Sequence, residues 1–247
     1  MPALTQARLL REWEGAAGQG PVARAVTLAA AMGGHSFDEA CALPLGARDA
    51  LLVGLRAACF RGDLACLADC PGCGEELEVS VPLSDLCPPA GGADGAGEGE
   101  VSVGGRLVRF RALTSRDVLA VAPDGATRPD ARRRLVGRCV LSVDGEARED
   151  EAHEDDEEDE LLAAVAAALP SLDPRADIRL DLTCAACGHA WAAPFDVPAH
   201  VWAEVDACAR GLLADVHALA TAYGWREGDV LALGAARRRY YLEAIGT

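Results

Sequence analysis

Lysine is missing altogether: all 23 basic residues are arginine. The chain therefore has no lysine nucleophile, forms no side-chain Schiff base and carries no phosphate loop of the Walker type, each of which needs that amine. Aromatics are scarce at 4%, so the core must be assembled mainly from alanine, leucine and valine. No run approaches the ~18 uninterrupted apolar residues of a membrane span. A signal peptide is not expected either, because Met1-Pro2-Ala3-Leu4-Thr5-Gln6 leads straight into a charged amphipathic segment.

What is present is 247 residues, 51% of them hydrophobic and 25% charged, which is globular usage and enough for one large domain or two small ones. The net charge of −16 is concentrated: residues 144–160 hold twelve acids and one arginine, a local −11, and the remainder carries about −5. Nucleic-acid binding calls for the opposite balance. A solvated, disordered insert is the expectation for 144–160.

Ten cysteines are the other excess. Four form two matching turns, Cys70-Pro71-Gly72-Cys73-Gly74 and Cys184-Ala185-Ala186-Cys187-Gly188. Each turn has strand-like flanks: Leu64 to Asp69 before and Glu76 to Leu83 after the first, Ile178 to Thr183 before and His189 to Val197 after the second. A Cys-x-x-Cys turn points two thiolates at one centre, and the following glycine lets backbone N–H groups approach sulfur. Cys70, Cys73, Cys184 and Cys187 together make the tetrahedral set of a structural Zn2+. Such a set leaves no open coordination position. Neither pair opens a helix after a strand, which argues against thioredoxin-like redox chemistry. His189 is placed to compete as a ligand, although a ribbon-strand position facing solvent is its simpler role. Cys59, Cys139 and Cys208 fall in apolar helical runs as small hydrophobes.

The remaining pattern predicts an α+β fold, with helical N- and C-terminal regions around a central split zinc ribbon with short strands. The N-terminal helical region covers 1–62, with helices over Thr5–Ala17 (Thr5 the N-cap), Val22–Met32 and Ala47–Phe60. The ribbon halves are 63–86 and 175–198. Residues 87–100 are a Pro/Gly-rich linker, and 101–143 hold a hairpin turned at Gly104-Gly105 followed by helices, the first capped by Thr114-Ser115-Arg116-Asp117 and running to Val121, the last ending in Cys139-Val140-Leu141. After the acidic insert, Leu161–Leu169 is a short helix stopped by Pro170. The C-terminal module, 199–247, is all helix. His35, His200 and His217 lack triad-like neighbours, and no glycine-rich loop has dinucleotide-binding register; no enzyme activity is expected.

Several stretches carry a resemblance: Leu182–Trp191 (LTCAACGHAW), Val201–Glu204 (VWAE), Val216–Trp225 (VHALATAYGW) and Leu231–Leu242 (LALGAARRRYYL), with Leu43–Asp49 (LPLGARD), the Cys70 turn and Arg109–Asp117 (RFRALTSRD) in the N-terminal half. Together these resemble the baseplate proteins, or baseplate hub assembly chaperones, of T-even-type contractile phage tails and extracellular contractile injection systems. The resemblance implies a non-catalytic structural or chaperone-like component that acts in the cytoplasm and is incorporated into, or released from, the particle. Its partners would be hub or wedge proteins, with no nucleic acid, no membrane insertion and no small-molecule substrate. Tyr223, Trp225, Arg237, Arg238, Arg239, Tyr240, Tyr241 and Leu242 are the expected partner-binding residues. A zinc-ribbon DNA-binding regulator using Arg237 to Arg239 is the alternative, and a Cys-x-x-Cys redox enzyme a third reading.

Overall fold

The computed structural model describes residues 5–86, 97–121, 128–147 and 156–246. Four helices open the chain: α1 (Gln6–Ala17), α2 (Pro21–Gly33), α3 (Phe37–Ala42) and α4 (Leu45–Cys59). The first hairpin follows as β1 (Leu64–Asp69) and β2 (Glu76–Val81), then a single turn, α5 (Leu83–Leu86). Next come β3 (Glu98–Val103), β4 (Arg106–Arg111), α6 (Ser115–Val121), α7 (Arg128–Cys139), β5 (Val140–Val143), β6 (Glu146–Ala147) and α8 (Asp156–Leu172). The second hairpin is β7 (Arg179–Thr183) and β8 (Ala190–Pro194), and three helices close the chain: α9 (Val197–Tyr223), α10 (Glu227–Leu231) and α11 (Ala235–Ala244). The fold is α+β, with helices at both ends and small antiparallel sheets between. Among the described residues no helix is long and apolar enough to cross a membrane.

The main core lies where α2, α4 and the first half of α9 meet both hairpins. Leu28, Leu52 and Leu55 pack there with Leu64 of β1, Val81 of β2, Phe195, and Val197, Val201 and Val205 of α9. Val201 and Val205 are one helical turn apart, so one stripe of α9 serves this core; further along, Ala209 and Leu212 receive Leu9 and Leu10 of α1. Trp13 ties the two helices, its Nε1–H donating to Asp206 Oδ1 at 2.8 Å. Arg56, 2% exposed, fastens the first hairpin to α9. It donates to both carboxylate oxygens of Glu204, at 3.0 and 3.1 Å, and to the carbonyls of Gly62 and Asp63, where the chain enters β1.

The segment between the hairpins builds a second core of its own. A sheet ordered β3-β4-β5-β6 packs Val108, Phe110 and Val140 against Val136 of α7 and Leu161, Leu162 and Val165 of α8. The two cores are joined at the start of α4. Leu45 N–H donates to Leu113 O at 3.0 Å, Pro44 and Thr114 form an isolated bridge, and Arg48 Nη1 donates to Ser115 Oγ at 3.0 Å. From the far side, Asp173 Oδ2 accepts from Gly46 N–H at 2.9 Å and so caps α4 across 127 residues. A Cβ at Gly46 would lie 2.1 Å from Asp173 Oδ1 and 2.6 Å from Arg175 Cβ. Gly46→Ala gains about 1 kcal/mol in helix propensity but loses the cap and forces a clash worth roughly 2–4 kcal/mol together. Thermal unfolding should show the variant less stable by about 2 kcal/mol; a more stable variant would mean that Asp173 yields freely.

Several boundaries differ from the sequence expectation. The last residues of the expected 87–100 linker are strand β3: Glu98 and Glu100 reach Arg109 across the strand pair at 2.9 and 3.5 Å. Gly99 lies under the Phe110 ring, where a Cβ would sit 2.9 Å from Cζ, so that glycine clears room for an aromatic. The expected insert at 144–160 is also ordered in part. Asp144 accepts from Leu107 N–H at 2.8 Å, Glu146–Ala147 form β6, and α8 begins at Asp156. Acids suit a helix N-terminus, and Arg133 of α7 pairs there with Glu158 and Asp159. The rest of both expected segments, 87–96 and 148–155, lies outside the described residues. Pro170 does not stop α8, which runs on to Leu172. Strand β2 ends at Val81, two residues before the expected Leu83, because Pro82 cannot donate to the ladder. Val140–Leu141 is strand, not helix end.

Candidate metal centre

Each cysteine turn closes its hairpin in the same way. Strand pairing ends at Asp69 opposite Glu76 in one and at Thr183 opposite Ala190 in the other. Cys70 N–H then donates to Glu75 O at 2.9 Å and Gly74 N–H to Cys70 O at 2.8 Å. The second turn repeats this, with Cys184 N–H to His189 O and Gly188 N–H to Cys184 O, both at 2.9 Å. Gly74 and Gly188 stand at φ +75° and +74°, a left-handed conformation open to glycine at little cost. The identity of the two loops, bond for bond, explains why the sequence repeats Cys-x-x-Cys-Gly.

The fold brings the tips together. Cys70 Sγ lies 3.7 Å from Cys187 Sγ, and Cys73 Sγ lies 3.7 Å from Cys184 Sγ. All four sulfurs are within 4.8 Å of one another. Metal–sulfur bonds of about 2.3 Å in a tetrahedron place sulfurs about 3.8 Å apart, so a four-coordinate thiophilic ion fits the set; a disulfide would need about 2.05 Å. Each hairpin contributes one buried sulfur (Cys70, Cys184) and one exposed sulfur (Cys73, Cys187). Gly72 N–H donates to Cys70 Sγ at 3.4 Å. The N–H groups of Cys187 and Ala186 lower the Cys184 thiol to about 7. At Cys73 the Glu75 N–H pulls the other way from the neighbouring sulfurs of Cys187, Cys184 and Cys70, which prevail and push the thiol up to about 12. Four sulfurs this close hold full negative charge only around a cation, so metal binding must displace protons. Cys139 shows the contrast: buried in apolar surroundings and pushed up to about 11, it behaves as a small hydrophobe, and burial likewise raises half-buried Cys59 and Cys208.

His189 is not one of the clustered ligands. Its ring stacks on Trp191 at 5.9 Å and lies over Gly72 of the other turn, where a Cβ would come within 3.1 Å of the imidazole. This contact between the two tips was not foreseen; the glycine inside the first turn, absent from the second, was its one trace in the sequence.

The eight expected partner-binding residues occupy the end of α9, the connection that follows it (Trp225) and the α11 that packs on α9, with divided roles. Trp225 lies between Tyr223 and Tyr241, stacked on the first at 4.9 Å and edge-on to the second at 4.9 Å. Arg238 is turned inward: Nε meets Asp215 Oδ2 of α9 at 2.7 Å and Nη1 donates to Gln6 Oε1 of α1. Leu242 is half-buried, and Arg237, Arg239, Tyr223 and Tyr240 are exposed.

A second polar centre escaped the sequence reading. Asp117, fully buried, accepts from Arg111 Nη1 and Nη2 at 2.7 and 2.9 Å, from Arg138 Nε at 3.1 Å, and from Thr114 Oγ1 and N at 2.6 and 3.0 Å. The sequence shows Thr114 to Asp117 only as the cap of α6; the convergence of Arg111 and Arg138 on it joins separate elements and leaves no trace there. The RFRALTSRD stretch is thus bound up in holding α6 and α7 to the sheet. No known protein family, curated protein or solved structure matches this chain.

Proposed function

We propose that this chain is a non-catalytic structural or chaperone-like component of the baseplate of a contractile phage tail or injection system, and that a structural zinc ion holds it together. The observation that carries the reading is the sulfur cluster, which links two hairpins 111–117 residues apart in sequence. Cys70, Cys73, Cys184 and Cys187 would hold the ion, and zinc supplies cross-linking there without redox change. Four thiolates complete a tetrahedron, so an ion in this site has no position left for substrate. Both hairpins lean on α9 through the main core. Fixing them fixes the root of α9, whose far end carries α10 and α11. In this reading the metal orients the C-terminal helices toward a hub or wedge protein in the producing cell. The resemblance in the cysteine turns and the YGW and RRRYYL stretches supplies the baseplate context.

Elemental analysis of the purified chain should give one zinc per chain, and isolation of its native complex should return tail-like structural proteins. Wild-type protein that is fully folded, hairpin tips included, while free of metal, or a complex without such partners, would sink the proposal. The DNA-regulator alternative loses much of its footing at Arg238, which is engaged with Asp215 and leaves two free arginines where three were expected. Salt-dependent DNA affinity lost in an Arg237→Ala/Arg239→Ala chain would restore it.

A further inference from the structure

We infer that the outer face of α11, together with Tyr223, is a docking surface for an acid-rich segment of a protein partner. The inference rests on the reading of the C-terminal helices as the docking end and adds what they would bind. Helix α11 has ten residues and no buried residue. Isolated helices shorter than ~12–15 residues are marginal in water, so a helix of this length with no buried side chain is one that a partner would stabilise. Its inward contacts are made by Arg238, to Asp215 and Gln6, and by Tyr241, to Trp225 and Tyr223. The outward positions are Arg237, Arg239 and Tyr240. Tyr240 is 68% exposed, more than any other large hydrophobic side chain among the described residues, and Tyr223 is 41% exposed.

The charge of this face points to the partner. In a chain of net charge −16, Arg56, Arg109, Arg111 and Arg138 are each bonded to a carboxylate. Arg237 and Arg239 form no ion pair among the described residues, although Glu243 stands one turn beyond Arg239. Two unpaired guanidinium groups next to the exposed Tyr240, with Tyr223 exposed where it meets Tyr241, combine the residue types that dominate binding energy at protein interfaces, and their free donors suit carboxylates. Nucleic acid fits poorly, because two arginines neutralise only two phosphates while the acidic body repels the rest. An acidic segment meets the same overall repulsion, but a short one can sit on Arg237, Arg239 and Tyr240 without lying along the acidic body.

The test uses the full zinc-loaded chain and two labelled probes, a twelve-residue glutamate peptide and a twelve-base-pair DNA duplex, followed by fluorescence anisotropy. The peptide should bind at low salt and weaken as salt rises. Arg237→Glu/Arg239→Glu should reduce its affinity by at least about ten-fold, and Tyr240→Ala by several-fold, with helical circular dichroism and zinc content unchanged because all three side chains are exposed. Failure of the wild-type chain to bind the peptide, equal binding by the double variant, or tighter binding of the duplex would overturn the inference. Survival of the native partner complex in the double variant would overturn the acidic partner while leaving the baseplate-component reading intact.

Discussion

Serine at both Cys70 and Cys184 should leave the purified chain without metal and lower its melting temperature by about 10 °C or more. These are the buried sulfurs, one from each hairpin, so each tip keeps a single exposed thiol and neither can chelate. The size follows from linkage: a ligand present at about a thousand times its dissociation constant stabilises the folded state by about 4 kcal/mol, and 1 kcal/mol moves the melting temperature of a chain this size by about 2–4 °C. The damage should be local. Leu64, Val81 and Phe195 still anchor the hairpins in the main core, and Arg56 still grips the carbonyls of Gly62 and Asp63. Helical circular dichroism should therefore persist while hydrogen exchange accelerates over 65–80 and 180–193. Cys66→Ser, which changes a half-buried thiol in β1 outside the cluster, should keep its metal. A double variant with unchanged melting temperature and exchange would show that the tips stand without the ion.

That outcome bears on the feature most legible in the sequence. Two Cys-x-x-Cys-Gly turns with strand-like flanks announce a four-sulfur site because the geometry is local: the loop's own hydrogen bonds aim each pair, and only the meeting of the pairs is left to the fold. Helices with caps and one apolar face were legible for the same reason, as with Thr5 before α1 and Thr114 before α6. Short elements fared worse. Helix α3 is six residues long, too short for periodicity to reveal, although Ser36 and Glu39 form a reciprocal capping box that could have marked it. Strand β5 follows α7 with no breaker between them, and only Asp144-Gly145 after it hints at a hairpin. Composition misled in two places. A glycine between two glutamates resembles linker until Phe110 is seen to need the space, and a run of acids resembles disorder until part of it proves to be the start of α8. Illegible altogether were contacts across long separations, such as Asp173 with Gly46 and His189 with Gly72.

Asp117→Ala should be among the most destabilising single substitutions in the chain, costing about 3 kcal/mol and about 6–12 °C in melting temperature. One carboxylate here caps α6 through Thr114, pins Arg111 of β4 and pins Arg138 of α7. Its loss removes a helix cap worth about 1 kcal/mol and leaves two partly buried guanidinium groups with no counter-charge. Both arginines are about one-third exposed, and water access to them holds the cost below that of a wholly buried pair. Asp117→Asn keeps an oxygen for Thr114 and should cost less. Acid titration separates charge from shape. Burial alone would raise the Asp117 pKa, but the donors from Arg111 and Thr114 outweigh it and hold the group at about 2, below its ordinary 3.8. The stabilisation, about 2 kcal/mol by linkage, is therefore complete above about pH 4 and lost as pH falls through 2. Asp49 acts in the opposite sense. Burial, only partly offset by Arg48, lifts it to about 6, so acidification from neutrality toward pH 4 relieves a buried charge and favours folding. In the Cys70→Ser/Cys184→Ser background, where metal binding adds no pH dependence of its own, stability should therefore rise between pH 6 and 4 and then fall toward pH 2; Asp49→Asn should remove the rise, and Asp117→Asn should flatten the fall. An Asp117→Asn chain that keeps the acid slope of that background would show that the Arg111–Asp117–Arg138 network carries no net stabilising charge.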